Sequence, residues 1–140
     1  MKLEEMLAYK MAMTSSDLSQ SLYKVYACYG ITMPEWRIMA TLGQLSPQDS
    51  VVSAKALSQA IRLDKVSVSR ALKRMEQGAL ITKTLSKNDG RYFDIALSEK
   101  GLSVYREILP KITQWQQEKL ANITDAEYQI FLKVIDSFSA

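Results

Sequence analysis

Residues 61–78 constrain this chain more than any other stretch, because they carry the signals of a helix with two incompatible faces. Apolar side chains recur at helical spacing and predict a buried stripe made of Val68, Ala71, Leu72 and Met75. Asp64 precedes the stripe as an N-cap, whose side chain accepts hydrogen bonds from the N–H groups of the first turn. Gly78 follows it as the residue expected to end the helix, since glycine adopts a positive φ at little cost.

The rest of this helix surface carries long cations interleaved with short hydroxyl groups: Lys65, Ser67, Ser69, Arg70, Lys73 and Arg74. This combination suits a helix that lies against the phosphates and base edges of nucleic acid. The ordinary solvated face of an amphipathic helix fits the same residues equally well. The helix alone leaves both interpretations open, so its neighbours have to decide between them.

Charge is unevenly distributed around this helix. Residues 53–92 contain nine bases and three acids, a balance of +6, whereas the rest of the chain contains nine bases and twelve acids, a balance of −3. Together they give the formal net charge of +3 for the 140 residues. A basic centre between slightly acidic ends indicates a polyanion-binding module joined to other helices.

The segment before the basic helix predicts its partner in a helix-turn-helix. Residues 53–60 have the pattern of a short helix, and residues 61–64 leave room only for a tight connection. Two short helices joined in this way, the second of them basic, form a motif that places its second helix in a major groove.

The segment after Gly78 predicts a β-hairpin. Residues 80–86 and 91–97 alternate in polarity and read as strands, and Asn-Asp-Gly between them tolerates the positive φ of a tight turn. Lys87 and Arg91 flank the tip of this wing, where an arginine suits the negative potential of a minor groove. Hairpin charges that simply remain solvated are the alternative.

Apolar residues at helical spacing predict long helices at both ends of the chain. Residues 3–29 read as one helix of about 27 residues, roughly 40 Å long. That length favours an arm that packs on another subunit over a purely intramolecular core helix. Ser98 caps a third long helix, in which Pro110 predicts a kink or a break.

Two pairs of residues predict reciprocal capping boxes at helix N-termini. Thr32 and Glu35 open the helix that buries Trp36, and Thr124 and Glu127 open the last helix of the chain. Residues 46–50 read as a loop, with a short extended piece at residues 51–52.

Composition excludes several classes of function. The chain has no histidine and one cysteine, which removes the usual metal ligands and the commonest general base. No Gly-rich phosphate loop or paired-acid motif is present, so we expect neither an enzyme nor a bound cofactor. No apolar run is long enough to span a bilayer, and the acidic N-terminus argues against export, so we expect a cytoplasmic protein. Cys28 is expected to be an inert core residue.

The order of these elements, together with several short motifs, resembles the MarR family of bacterial winged-helix regulators. The most specific motif is Leu-Asp-Lys-Val-Ser-Val-Ser-Arg at residues 63–70, which is similar to the family's recognition helix. Asn-Asp-Gly-Arg at 88–91 and Ala-Leu-Ser-Glu-Lys-Gly at 96–101 resemble its wing, and Thr-Met-Pro-Glu-Trp-Arg at 32–37 resembles its second helix. The resemblance covers nearly the whole chain.

This resemblance implies a mainly α fold with a small β-hairpin wing, in one domain spanning residues 1–140. Residues 1–30 and 98–140 would form the dimerisation helices, and residues 31–97 the winged helix-turn-helix lobe. The implied function is a homodimeric, sequence-specific DNA-binding repressor that binds a pseudo-palindromic operator in double-stranded DNA. A winged-helix protein–protein interaction module without specific DNA binding is the alternative.

The resemblance also assigns DNA contacts. Recognition-helix contacts would come from Ser67, Ser69, Arg70 and Arg74, phosphate contacts from Lys65 and Lys73, and wing contacts from Lys87, Asp89 and Arg91. Because family members respond to small aromatic acids, drugs or oxidants, a small-molecule effector is implied as well. Tyr23, Tyr26, Trp36 and Met39 are the candidate lining of its pocket, with ordinary core packing as the alternative.

Overall fold

Helices make up most of this computed structural model, which describes residues 1–45, 52–86, 90 and 93–139. In the described part, six α-helices and three short strands follow one another. Their bounds are α1 Leu7–Tyr26, α2 Met33–Gly43, β1 Val52–Ser53, α3 Ala54–Ile61, α4 Lys65–Gln77, β2 Ile81–Leu85, β3 Phe93–Leu97, α5 Glu99–Lys119 and α6 Asp125–Ser137. The predicted fold class, mainly α with a small wing, is confirmed.

The wing is an antiparallel pair extended by a third strand. Strands β2 and β3 pair from Ile81↔Leu97 to Leu85↔Phe93. Strand β1 pairs with the other edge of β3 through Val52↔Ile95, giving the order β1-β3-β2. The sequence predicted the two long strands and an extended piece near Val52. It did not predict that this piece joins the sheet, because pairing between distant segments leaves no local pattern.

The core lies where α2, α3, α4, the sheet and the first half of α5 meet. It includes Ile38, Met39, Leu57, Met75, Ile95 and Ile108, all fully buried. An aromatic stack crosses it: Tyr26 of α1 lies 5.8 Å from Trp36 of α2, and Trp36 lies 6.0 Å from Tyr105 of α5, between ring centroids. Gly43 permits the close approach of α2 to α5, because a Cβ there would lie 2.5 Å from the Tyr105 ring.

The N-terminal segment is not the single helix predicted for residues 3–29. A 3-10 turn at Leu3–Glu5 is separated from α1 by Met6, whose φ of −75° and ψ of 125° are extended. Another 3-10 turn, Ala27–Tyr29, follows α1 and ends at Gly30 with a positive φ of 72°. The regular helix therefore has 20 residues, although the apolar spacing continues beyond both of its ends.

Capping differs from the prediction at one of the two predicted boxes. Thr124 and Glu127 form the complete reciprocal box at α6. At α2, Thr32 caps the helix by accepting the Glu35 N–H, but the Glu35 side chain does not complete the box. It accepts the Thr32 hydroxyl at 2.9 Å and is buried.

The C-terminus of α4 also corrects a prediction. Gly78 has φ −81°, whereas Ala79 takes the left-handed conformation with φ 60°. The N–H groups of Leu80 and Ala79 donate to the carbonyls of Met75 and Glu76, at 2.8 and 3.0 Å. These two bonds form a Schellman motif that is centred one residue later than the glycine.

The helices at the two ends of the chain expose apolar side chains. Helix α5 continues through Pro110 without the predicted break. Helix α6 buries no side chain, and Ile130 and Phe131 are 63% and 53% exposed. Leu7 and Leu18 of α1 are exposed as well. No helix within the described ranges has both the length and the apolar content to cross a membrane.

Candidate nucleic-acid interface

The N-terminus of α4 is fixed by the cap that the sequence predicts. The Asp64 carboxylate accepts hydrogen bonds from the Ser67 N–H at 2.8 Å and from the Ser67 hydroxyl at 2.7 Å. These bonds, led by the one from the backbone, lower the pKa of the Asp64 carboxyl. The hydroxyl proton of Ser67 is thereby directed to the cap, so towards a ligand this oxygen acts as an acceptor.

Helix α4 separates its two kinds of side chain as predicted. Its apolar stripe is almost completely buried, with exposed fractions between 0 and 4% for Val68, Ala71, Leu72 and Met75. Its polar side projects into solvent, where the exposed residues include Lys65, Ser69, Arg70, Lys73 and Arg74. Four buried anchors along the helix hold this cationic surface in one orientation relative to the core.

A contact that the sequence did not reveal ties α4 to α2. Arg74 Nε lies 3.4 Å from the Glu35 carboxylate. The Glu35 side chain is 4% exposed, whereas that of Arg74 is 60% exposed. One side of the guanidinium therefore balances a buried charge while the rest remains accessible. Only the apparent capping box pointed to Glu35, and it suggested a different role.

Two further lysines lie close to the N-terminal half of α4. A cavity of about 660 Å³ separates α3, α4 and β2, and Lys55, Lys65 and Lys83 line it together with Ser58 and Ser69. Lys55 and Lys83 were counted in the basic centre of the chain but were not assigned as contacts. The signal that identifies them is their convergence on one side of α4, which depends on how the three elements pack.

The wing carries its described strands beside this surface. Lys83 of β2 lies over the Phe93 ring of β3, with 5.6 Å between its Nζ atom and the ring centroid. Both side chains are at the outer end of the hairpin and exposed. The predicted wing-tip contacts Lys87, Asp89 and Arg91 lie outside the described residues.

The four residues predicted to line a ligand pocket lie mainly in the core. Tyr26, Trp36 and Met39 belong to the buried cluster, and Tyr23 packs edge-on against Tyr26 while remaining 44% exposed. Burial raises the pKa of the Tyr26 phenol, against a smaller opposite effect of Arg37. In the isolated chain these side chains thus have the alternative role of core packing, and a ligand role stays a prediction.

Cys28 is exposed in the turn after α1, so the expectation of a core cysteine is wrong. The local sequence is apolar there, but the 3-10 geometry turns this position away from the core. In the residues described, no group of three His, Cys, Asp or Glu side chains is arranged to hold a metal ion.

Comparisons with known proteins agree with this geometry. Residues 29–91 match the sequence model of the MarR family. The HTH-type transcriptional regulator BilQ of Clostridioides difficile (strain CD3) is 28% identical over 81 residues, which are 58% of this chain and 55% of BilQ. The match thus spans only about half the length of that relative.

Solved structures extend the similarity to nearly the whole chain. A MarR/EmrR family transcriptional regulator from Acinetobacter sp. ADP1 has a TM-score of 0.86 at 24% identity, covering 99% of this chain and 95% of that one. A cysteine-to-serine mutant of MarR from E. coli, complexed with operator DNA, has a TM-score of 0.85 at 16% identity, covering 96% and 94%. The matched segment contains the helix-turn-helix, and the structures share the long terminal helices. The chain belongs to the MarR family of winged-helix transcriptional regulators.

Proposed function

We propose that this protein is a sequence-specific regulator that binds double-stranded DNA as a homodimer, with α4 in the major groove. The observation that carries the proposal is the cationic face of α4, which four buried side chains hold outward. The similar MarR structure from E. coli is a complex with operator DNA, which supports the same use of the fold here. The MarR family consists of DNA-binding regulators and not of enzymes, in agreement with the predicted absence of catalysis.

We assign base contacts to Ser67, Ser69 and Arg70, which lie on the first two turns of α4. Arginine can donate two hydrogen bonds to a guanine edge, and the Ser67 oxygen suits a base that presents an N–H donor. Arg74 would contact the DNA with the part of its guanidinium that does not face Glu35.

Phosphate contacts are proposed for the lysines around α4. Lys65 and Lys73 project from the helix itself, and Lys55 and Lys83 add charge from α3 and β2. Lys87 and Arg91 would continue this contact at the wing tip, with Asp89 orienting the arginine. Phosphate neutralisation predicts that the affinity falls steeply with salt concentration, by a slope of about one for each contact.

The homodimer is proposed to form through residues 1–30 and 98–140, with residues 31–97 as the DNA-binding lobe. The exposed apolar side chains of α1 and the absence of buried side chains in α6 support this, because such surface is normally covered by a partner. Two lobes related by a twofold axis would place their α4 helices roughly 34–36 Å apart, which fits a pseudo-palindromic operator.

Repression released by a small ligand is the regulatory mode that we propose for this homodimer. Tyr23 supports a site between the terminal helices and the lobe, because it is half-exposed beside the buried Tyr26 and Trp36. Binding at that place would change how the lobes are held relative to each other. As a regulator of transcription the protein would act in the cytoplasm.

The test begins with the selection of bound sequences from random duplexes, which are then mapped upstream of genes in the source genome. Arg70→Ala should weaken binding to the selected operator by about 10- to 100-fold, the cost of one base contact. Arg106→Ala removes the same charge from the exposed surface of α5 and is the matched control. Equal affinity of both variants and the wild type would refute the assigned DNA face.

A salt titration on the same duplex separates this function from its alternative. Phosphate contacts predict a marked linear fall of log affinity against log salt concentration. An interaction module that binds proteins predicts weak binding to DNA with no such slope. That result would favour the winged-helix interaction module.

A further inference from the structure

We propose that Val66 determines specificity by contacting the 5-methyl group of a thymine in each operator half-site. This inference rests on the proposed DNA-binding function and deepens it. It assigns a role to a side chain that neither the charge pattern nor the apolar stripe of α4 explains.

The position of Val66 is unusual for an aliphatic residue. It is the second residue of α4 and is 58% exposed, whereas Val68 two residues later is 1% exposed. At helical spacing, Val66 shares one outward row with Ser69, Arg70 and Lys73. It is therefore an apolar group in the middle of the surface proposed to enter the groove.

Val66 has no evident structural benefit at this site. An exposed side chain gains little from burial, and valine has a lower helix propensity than alanine or a long polar residue. A β-branched side chain on a helix is, however, restricted to essentially one rotamer. Its two methyl groups are thus held in fixed positions, and little side-chain entropy is lost when they contact a ligand.

The chemistry of the major groove leaves one matching partner. Purines and cytosine present hydrogen-bond donors and acceptors there, whereas thymine adds a methyl group. The first residues of a recognition helix are those that approach base edges. Since Ser69 and Arg70 next to it are polar, Val66 is the member of this row suited to that methyl group.

The experiment removes the two methyl-bearing partners separately and together. Each thymine of the selected operator is replaced by uracil, symmetrically in both half-sites, and the affinity is measured by fluorescence anisotropy for the wild type and for Val66→Ala. Uracil differs from thymine only by the lost methyl group. Burial of one methyl group corresponds to about fourfold in affinity, or roughly 15-fold for the two half-sites of a homodimer.

We expect one thymine position at which uracil weakens wild-type binding by roughly this factor but leaves Val66→Ala unaffected. The other thymine positions serve as internal controls, and uracil there should affect both proteins equally. Unfolding does not confound the result, because alanine is favoured over valine at an exposed helix position, and the thermal stability of the variant should match the wild type.

The opposing results are distinguishable. If a salt-dependent operator is found but uracil has the same effect in both proteins at every position, the role of Val66 is refuted and the proposed function stands. If no duplex is bound with a salt-dependent affinity, the proposed function and this inference are both wrong.

Discussion

Gly101 offers the sharpest test of how the recognition helix is held, because its close approach to another segment can be measured. A Cβ at this position in the first turn of α5 would lie 2.0 Å from the carbonyl oxygen of Leu80 and 3.2 Å from a methyl group of Leu97. The first contact is with backbone, so no side-chain rotation relieves it. In Gly101→Ala the two backbones have to separate by more than about 1 Å to reach ordinary contact.

This separation weakens the hydrogen bonds that join α5 to the end of α4. The Ser98 N–H donates to the carbonyl of Leu80 at 3.0 Å, and the Ser98 hydroxyl donates to that of Ala79 at 2.6 Å. Each bond contributes about 1 kcal/mol to stability. Overpacking adds about 1–3 kcal/mol, and the higher helix propensity of alanine offsets about 1 kcal/mol. The free energy of unfolding should therefore fall by about 2–4 kcal/mol.

Urea unfolding followed by circular dichroism measures this difference, from a lower midpoint at an unchanged slope. All variants are compared at one protein concentration, because dimerisation makes apparent stability depend on concentration. Gly78→Ala is the matched control at the same corner: its Cβ would meet only ordinary contacts of 3.4 Å or more, and φ is −81°. We expect it to stabilise by about 0.4–1 kcal/mol. A loss below about 0.5 kcal/mol in Gly101→Ala would refute the reasoning.

Three further predictions concern the ends and anchors of the same helix. Ala79→Gly should raise the free energy of unfolding in urea by about 0.5–1 kcal/mol, because the left-handed φ of 60° strains alanine but not glycine; an unchanged midpoint would contradict this. Arg74→Ala should cost about 1–3 kcal/mol by leaving the buried carboxylate of Glu35 without its counter-charge, but much less in a Glu35→Gln background. A double-mutant cycle measures this coupling, and additive effects would argue against the ion pair. In Asp64→Asn the cap persists without titration. Because bonds from Ser67 hold the folded-state pKa of Asp64 below its ordinary value of 3.8, the wild-type cap stabilises above that value and is lost as the pH falls through the lower folded one. The variant should therefore match the wild type at pH 7 and lose less stability in urea titrations below about pH 4; parallel losses would show that Asp64 does not matter there.

The features that could be predicted from the sequence are those that neighbouring residues determine. Helix α4 is recognisable because its cap at Asp64 and its four apolar anchors fall within a few turns of one segment. The strands of the wing are recognisable for the same reason, as their alternation is local. The fold then followed from the order of such segments, and the cationic face of α4 followed from the position of its apolar stripe.

The features that could not be predicted depend on contacts between distant segments. The positive φ falls on Ala79 and not on Gly78, where bonds from Ser98 hold the carbonyls that follow α4. Glu35 resembles a capping residue locally, but the packing of α2 on α4 brings its carboxylate to Arg74. In each case a local signal was correct in type but was overridden by a contact from another part of the chain.

These long-range contacts have a common consequence for the proposed function. Helix α4 is held at its C-terminus by α5, through the bonds from Ser98 and a bond from Lys100 Nζ to the Gly78 carbonyl at 2.9 Å. It is held along its side by α2, through Glu35 and Arg74. Since α5 also belongs to the proposed dimerisation region, the orientation of each recognition helix is coupled to the dimer through a short, stiff path. The separation of the two α4 helices, and with it the operator spacing, should therefore depend on how α5 packs against its partner.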